Sequence, residues 1–306
     1  MDIRLRNLSY SGLLVKHTCP RLFQLQKLNA EVDTQEELEE SITFAFGHVV
    51  GLGIQLHFEG KSIEEIIWKM FLFWKPHLYA ANEKQVKSFW HAISAIQTFI
   101  SLRANGYLQD WELVYHDNKP AVELGFCINL PDNFRYRGFV DAVLRNKVSG
   151  KIMVLECKTS SATNLNPASY KNSAQAIGYS IVLDYLFPDL SSYEVLYLVY
   201  LTKSFKYESL PFGKSYLQRA LWIQELLLDV EELKRYEETG VYPMHGESCV
   251  QYYRDCKYLQ SCTLSTNLIT KPMTPEQLEK YQEKESEYTI VVDIQDLIQS
   301  QINKEI

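Results

Sequence analysis

The sequence predicts an α/β protein, with a mixed central sheet flanked by helices and a helical elaboration in its N-terminal part. Three observations lead there. Helical apolar spacing dominates roughly the first hundred residues. From Trp111 the pattern changes to short runs rich in Val, Ile, Phe and Tyr, separated by turn-forming residues. Helix then returns twice, on either side of a Tyr- and Val-rich run, which is the alternation expected of layered α/β architecture.

Taken in order, Ser9 to Asn29 reads as one or two short helices interrupted at Cys19-Pro20. Pro20 suits a first helical turn, because its missing N–H would have no intrahelical partner there anyway. Helical spacing follows from about Glu36 to Glu59, Ile63 to Leu78 and Glu83 to Ala104. Strands are expected at Trp111 to Tyr115, Ala121 to Leu130, Phe134 to Leu144 and Lys151 to Thr159, with Asp-Asn-Lys-Pro, Pro-Asp-Asn and Lys-Val-Ser-Gly turns between them. Ser169 to Phe187 reads as helix stopped by Pro188, Tyr193 to Leu201 as strand, and Lys214 to Thr239 as a long helix. There is no internal repeat or low-complexity linker. The chain divides into a helical part (1–110), a core (111–240), a cysteine-rich segment (241–273) and an acidic tail (274–306) that either packs loosely or serves as a partner helix.

With 306 residues, 46% of them hydrophobic, the chain can bury a substantial core. No run approaches the roughly 18 apolar residues needed to cross a bilayer, and Met1-Asp2-Ile3-Arg4-Leu5-Arg6 lacks the apolar centre of a secretory signal. The expected compartment is the cytoplasm, with no membrane partner and with cysteines kept as thiols. A net charge of −7 argues against nonspecific coating of nucleic acid, but the charge is uneven. Six acids and no base fall within residues 31–40, expected to be a solvated face, whereas Arg135, Arg137, Arg145, Lys147, Lys151 and Lys158 gather around one stretch.

That stretch carries the chemistry. Asp141 lies in Gly138-Phe139-Val140-Asp141, and fifteen residues later Glu156 and Lys158 bracket Cys157 on an expected buried strand. Alternation sends Glu156 and Lys158 to one face and Cys157 to the other, and a hairpin through Arg145 to Gly150 brings Asp141 near them. Two carboxylates beside an ammonium suit a divalent metal and an activated water, which points to phosphodiester hydrolysis.

Cys19, Cys249, Cys256 and Cys262 form a second constellation, with six and five residues between the last three. Such density in a reducing compartment points to a metal centre. Zinc and an iron–sulfur cluster both accept four thiolates. The absence of a short Cys-x2–4-Cys hairpin favours a cluster closing a large loop, shielded by Tyr252, Tyr253, Tyr258 and Leu259. Cys127 and Cys157 are expected in the core.

With these residues in hand, the chain resembles the PD-(D/E)XK nuclease superfamily over about residues 9 to 262. The closer likeness is to the RecB-like branch with a four-cysteine iron–sulfur cluster, which includes CRISPR-adaptation nucleases and phage-type exonucleases. The resemblance implies a restriction-endonuclease-like core and a metal-dependent DNA exonuclease acting on linear or single-stranded DNA in recombination, repair or phage DNA processing. The alternatives are a catalytically silent DNA-binding scaffold of the same fold and a zinc-binding variant. It implies Asp141, Glu156 and Lys158 as catalytic residues, joined by Gln175 and Tyr179, which match a Gln-x3-Tyr motif and share a helix face. Glu123 matches an upstream supporting acid. Mg2+ or Mn2+ would be held by Asp141, Glu156, the Cys157 carbonyl and a histidine from an upstream helix. His57 fits a Gly-x3-His form from Gly53, but His48, beside Gly51 and Gln55, is slightly preferred. A 4Fe–4S cluster on Cys19, Cys249, Cys256 and Cys262 would join the N- and C-terminal segments. No Gly-x4-Gly-Lys-Ser/Thr motif for a fused motor occurs, so either a helicase or recombinase partner would unwind the DNA or the substrate would already have an end or a single strand.

Overall fold

In the computed structural model, which describes residues 3–28, 42–75, 87–188, 193–251, 254–263, 272–276, 278 and 290–304, a mixed sheet is flanked by helices. The chain opens with α1 (Ile3–Arg6), β1 (Asn7–Leu8), α2 (Tyr10–Thr18) and α3 (Pro20–Lys27). The expected break falls at Cys19, whose extended backbone ends α2 and precedes Pro20 at the start of α3. Next come α4 (Ile42–Phe58), α5 (Ile63–Trp74) and α6 (Phe89–Ala104). Helix α6 begins later than expected because Ser88 caps it, its hydroxyl accepting from the His91 N–H. The expected helix ends at Glu36, Leu78 and Glu83, the acidic face within residues 31–40, and Tyr252 and Tyr253 lie outside the described residues.

The strands are β2 (Trp111–Leu113), β3 (Tyr115–His116), β4 (Lys119–Pro120), β5 (Val122–Asn129), β6 (Arg135–Asn146) and β7 (Ile152–Ser160). The run expected from Trp111 to Tyr115 divides because β3 turns back into β4 through Asp117 and Asn118, both in the left-handed region at φ 49° and 60°. After α7 (Ala168–Lys171) and α8 (Ala174–Leu186), two helices where one was expected, come β8 (Tyr193–Leu201), β9 (Lys206–Lys214) and α9 (Tyr216–Thr239). Short β10 (Val250–Gln251) and β11 (Arg254–Asp255), then β12 (Ile290–Asp293) and a helix at Ile294–Lys304, complete the order. Hydrogen bonding runs β12-β5-β6-β7-β8-β9. Among the described residues, no helix is long and apolar enough to cross a membrane.

The chain forms two units, Leu38–Leu124 with Val140–Arg219, and Met1–Glu37 with Gly125–Phe139 and Ala220–Ile306. In the first, β7 lies between antiparallel β6 and parallel β8, and β9 adds an antiparallel edge. Phe46, Val49, Ile54, Met70, Trp74 and Phe99 of α4 to α6 share a core with Leu144, Met153, Leu155 and Leu198 of the sheet. Gly53 is where three helices approach: a Cβ built there would stand 2.5 Å from Ile96 and 2.9 Å from Met70 Sδ. In the second unit β1 runs parallel to the start of β6, and Lys16, buried on α2, donates to Asp229 Oδ1 at 2.7 Å and to Glu232 on α9. The tail, expected to be loose or a partner helix, supplies β12, whose Ile290 and Val292 are buried and which runs parallel to β5, followed by the helix Ile294–Lys304.

Candidate active site

The antiparallel ladder between β6 and β7 ends at Ala142 opposite Leu155. Two residues farther along β7, the Cys157 amide bonds a side chain in place of a backbone carbonyl: Asp141 Oδ2 accepts it at 2.9 Å. A carboxylate thus takes the place of a ladder acceptor where the two strands stop pairing. Strand alternation places Glu156 and Lys158 on one face of β7, and the Lys158 ammonium lies 2.5 Å from Glu156 Oε1. Lys158 Nζ also donates to Gln175 Oε1 at 3.2 Å, and Gln175 Nε2 donates to the Tyr179 hydroxyl at 2.6 Å. Gln175 and Tyr179 lie one turn apart on α8, as the i,i+4 spacing requires. The structure therefore gathers Glu156, Lys158, Gln175 and Tyr179 into one hydrogen-bonded chain, with Asp141 on the neighbouring strand.

Burial and mutual repulsion set the charge state of this group. Burial pushes the Asp141 carboxyl well above its ordinary value, the Glu156 charge adds to that, and the Cys157 N–H and Lys158 pull the other way. Glu156 is also raised, chiefly by burial, against the opposing pull of Lys158. For Lys158, burial alone would lower the ammonium pKa, but the charge and hydrogen bond of Glu156 overcome it, so it stays cationic. Glu156 Oε2 is buried and accepts no hydrogen bond. An unsatisfied carboxylate oxygen and a second acid that raises its cost supply the oxygen donors a hard divalent cation takes, and the ammonium beside them is placed to meet a water or a phosphate rather than the cation.

These shifts carry a pH dependence. The folded chain retains the Asp141 proton above 3.8, where the unfolded chain has released it, so this group's contribution to stability falls as pH rises from the ordinary carboxylate range. In EDTA, Asp141→Asn is expected to be more stable than the wild type at neutral pH, with the difference shrinking on acidification. Thermal unfolding from pH 4 to 8 measures it, and a difference that does not change with pH would refute the assignment.

Helix α4 packs through Gly47 and Gly51, whose built Cβ atoms would lie 3.4 Å from Thr159 Oγ1 and 4.0 Å from Cys157 Cβ. That is the face of β7 opposite Glu156 and Lys158. His48 is exposed on α4 with its ring edge-on to Phe73 at 6.1 Å, and His57 packs edge-on against Phe99 at 5.6 Å. The α4 side chain that reaches the acids is Gln55. Its Nε2 donates to Glu123 Oε1 at 2.7 Å and to the Asp141 carbonyl at 3.4 Å. Sequence reasoning passed over Gln55 in favour of the histidines, although a lone amide between Ile54 and Leu56 in an apolar helix was a usable signal. Glu123 holds φ at 46°, an unusual conformation for a residue with a side chain, and its charge adds to the repulsion felt by Asp141. Cys157 packs against the core and Cys127 is buried.

In the second unit, Cys19, Cys249, Cys256 and Cys262 line one recess with Leu22, Leu25, Met244 and Tyr258. Arg21 Nε donates to the Cys262 carbonyl at 2.9 Å, and the Cys256 N–H bonds Cys249 O at 2.7 Å. All six cysteines are free thiols. Burial, then the charge of Cys249, raises the Cys262 thiol, and Arg21 opposes this. Among the described residues, no set of three or more His, Cys, Asp or Glu side chains is gathered closely enough to hold a metal ion. The four thiols share a recess and supply suitable donors, and they are not drawn together as ligands.

The family model described as the PD-(D/E)XK nuclease superfamily matches residues 7–263. No curated protein matches the chain. Among solved structures, a candidate exonuclease from Eubacterium rectale is similar at a TM-score of 0.51 and 13% identity, covering 90% of this chain and 94% of its own. The protein SSO0001 aligns at a TM-score of 0.30 and 15% identity over 84% of this chain and 98% of its own, too loosely to bear an argument. At such identities the likeness concerns fold alone.

Proposed function

Because this chain belongs to the PD-(D/E)XK nuclease superfamily, we propose that it is a divalent-cation-dependent DNA nuclease, an exonuclease acting on linear or single-stranded DNA. The observation that carries the reading is the chain of contacts from Glu156 through Lys158 and Gln175 to Tyr179, with Asp141 beside it on β6. Asp141 and Glu156, with the Cys157 carbonyl, would hold Mg2+ or Mn2+. When bound, such a cation supplies a lowered water pKa and a Lewis acid for phosphate oxygens. Lys158, kept cationic by Glu156, orients the attacking water and offsets charge building on the phosphate. Gln175 holds the Lys158 ammonium in place, and Tyr179 holds Gln175. Gln55 braces Glu123 and the backbone of Asp141 from the other side. Of the two histidines on α4, His48 is the exposed one, and it is the one a cation or phosphate could meet.

Incubating the protein with linear duplex, circular duplex and single-stranded DNA, each with Mg2+, Mn2+ or EDTA, tests this reading. Cation-dependent loss of linear and single-stranded substrates with circular DNA spared is expected. Cleavage of closed circles would make it an endonuclease, and binding without cleavage would make it a silent scaffold. The proposed setting is recombination, repair or phage DNA processing in the cytoplasm, with unwinding left to a helicase or recombinase partner.

The shared recess and free thiols support a second proposal, that Cys19, Cys249, Cys256 and Cys262 bind a 4Fe–4S cluster clamping α3 to residues 241–263. Zinc is the other occupant four thiolates accept. Anaerobic purification should give brown protein containing iron, and a colourless, zinc-loaded sample would overturn the iron assignment.

A further inference from the structure

Four exposed aromatic rings stand on α4, α5, α6 and the turn that follows β8, with α4 covering the Cys157 and Thr159 face of β7. Val199 of β8 lies opposite Lys158, and the turn into β9 begins after Leu201, two residues or roughly 7 Å farther along the strand. That turn carries Phe205, 49% exposed. It is held in the left-handed region at φ 54° with its ring stacked on His91 of α6 at 5.5 Å. Trp90, beside His91 at the start of α6, is 76% exposed. On α4, Phe44 is 67% exposed and lies one turn before Gly47, the residue that meets Thr159. Phe73 of α5, 39% exposed, meets His48 on the next turn of α4.

The charges at this end favour an anion. Among the described residues of these segments, Lys75 ends α5, Lys87 precedes α6, and Lys203 and Lys206 flank Phe205. Glu208, two residues beyond Lys206, is paired with it at 2.9 Å. The stretch 160–173 that leaves β7 contains no acid. Apolar rings at a cationic rim suit neither a protein core nor a duplex, whose bases are already stacked on one another. They suit unpaired bases, whose faces stack on aromatic side chains while phosphates meet lysines. The left-handed Phe205 closes its turn with its N–H bonded to Leu201 O at 2.8 Å, and this leaves the ring half-exposed beside His91.

We infer that Phe44, Phe73, Trp90 and Phe205 form a stacking platform for a single DNA strand at the end of the sheet beyond Thr159, on the side covered by α4 to α6. This rests on the nuclease reading for the strand's destination and deepens it by naming the substrate form. The platform is tested with Trp90→Ala and Phe205→Ala, singly and together, against Leu217→Ala, an exposed apolar residue on α9. Fluorescence anisotropy in EDTA measures Kd for labelled single-stranded oligothymidylate and for a blunt duplex. Each ring removed should weaken single-strand binding by about 5- to 100-fold. Duplex binding should stay within about two-fold, and the slope of log Kd against log salt should be unchanged, because no phosphate contact is lost. Equal losses on both DNAs, or no loss in the double variant, would overturn the platform. So would wild-type self-association that Trp90→Ala abolishes, since the patch would then join copies of the chain. Cleavage of thymidine 5′-(p-nitrophenyl phosphate), too small to reach the rings, separates the two readings. If the wild type hydrolyses DNA and this ester but the rings do not matter for binding, the platform alone fails. If nothing is hydrolysed yet binding depends on the rings, the nuclease reading alone fails.

Discussion

Lys158→Ala is expected to lower the rate of cation-dependent DNA cleavage by at least about 100- to 1,000-fold, the usual cost of removing one preorganised charge from a transition state, while DNA affinity stays within a few-fold. The argument starts from its neighbours. Glu156 Oε1 and Gln175 Oε1 both hold the ammonium, so its position does not wait for substrate. A charge held in place stabilises the phosphate as negative charge builds on it, with little reorganisation left to make. DNA affinity comes mainly from many phosphate contacts, of which one lysine is a small part. Losing Lys158 also leaves the buried Glu156 without its counter-charge, so thermal unfolding must accompany the assay. Lys158→Arg separates the causes, because it keeps the charge but enlarges the head group: a fully active arginine variant would assign Lys158 to charge alone, with no demand on position. Alanine variants that retain turnover in a clean preparation would overturn the role.

Asp141, Glu156 and Lys158 stood out in the sequence because strand alternation and one hairpin bring them together, whereas Gln175 and Tyr179 were singled out by the resemblance to the family's Gln-x3-Tyr motif, and one helical turn then puts them on a common face. What the sequence hid depends on contacts between distant segments. Gln55 meets Glu123 across 68 residues, which no periodicity encodes. Strand β9 was missed because Pro211 and Gly213, poor strand formers, lie within it, and an edge strand tolerates them where a central one would not. Strand β12 was missed because four residues in an acidic tail carry too little pattern, and only pairing with Phe126 to Asn129 makes them a strand. The rings of the platform also belong to separate segments, so each reads in sequence as an ordinary exposed or core aromatic.

The largest stability effect is expected at a salt bridge the catalytic reading does not use. Arg219 of α9 and Asp184 of α8 bond each other with both side chains fully buried, and the guanidinium carbon lies 4.3 Å from the centre of the Tyr216 ring. Two charges taken from water are tolerable only together, since each offsets the other's lost hydration. Asp184→Ala should therefore cost about 3–5 kcal/mol by leaving a buried guanidinium uncompensated, measured by urea unfolding. Asp184→Leu with Arg219→Met should cost far less than either change alone, because replacing a buried pair with apolar side chains of similar size removes both desolvation costs at once. The effect should reach catalysis, because α8 also carries Gln175 and Tyr179 and is buried continuously from Ala176 to Asp184. Loosening its far end should then lower cleavage in the single variant and restore it in the double one. If Asp184→Ala unfolds at the wild-type urea midpoint, the pair adds nothing to stability and the positioning of Gln175 rests on the packing of α8 alone.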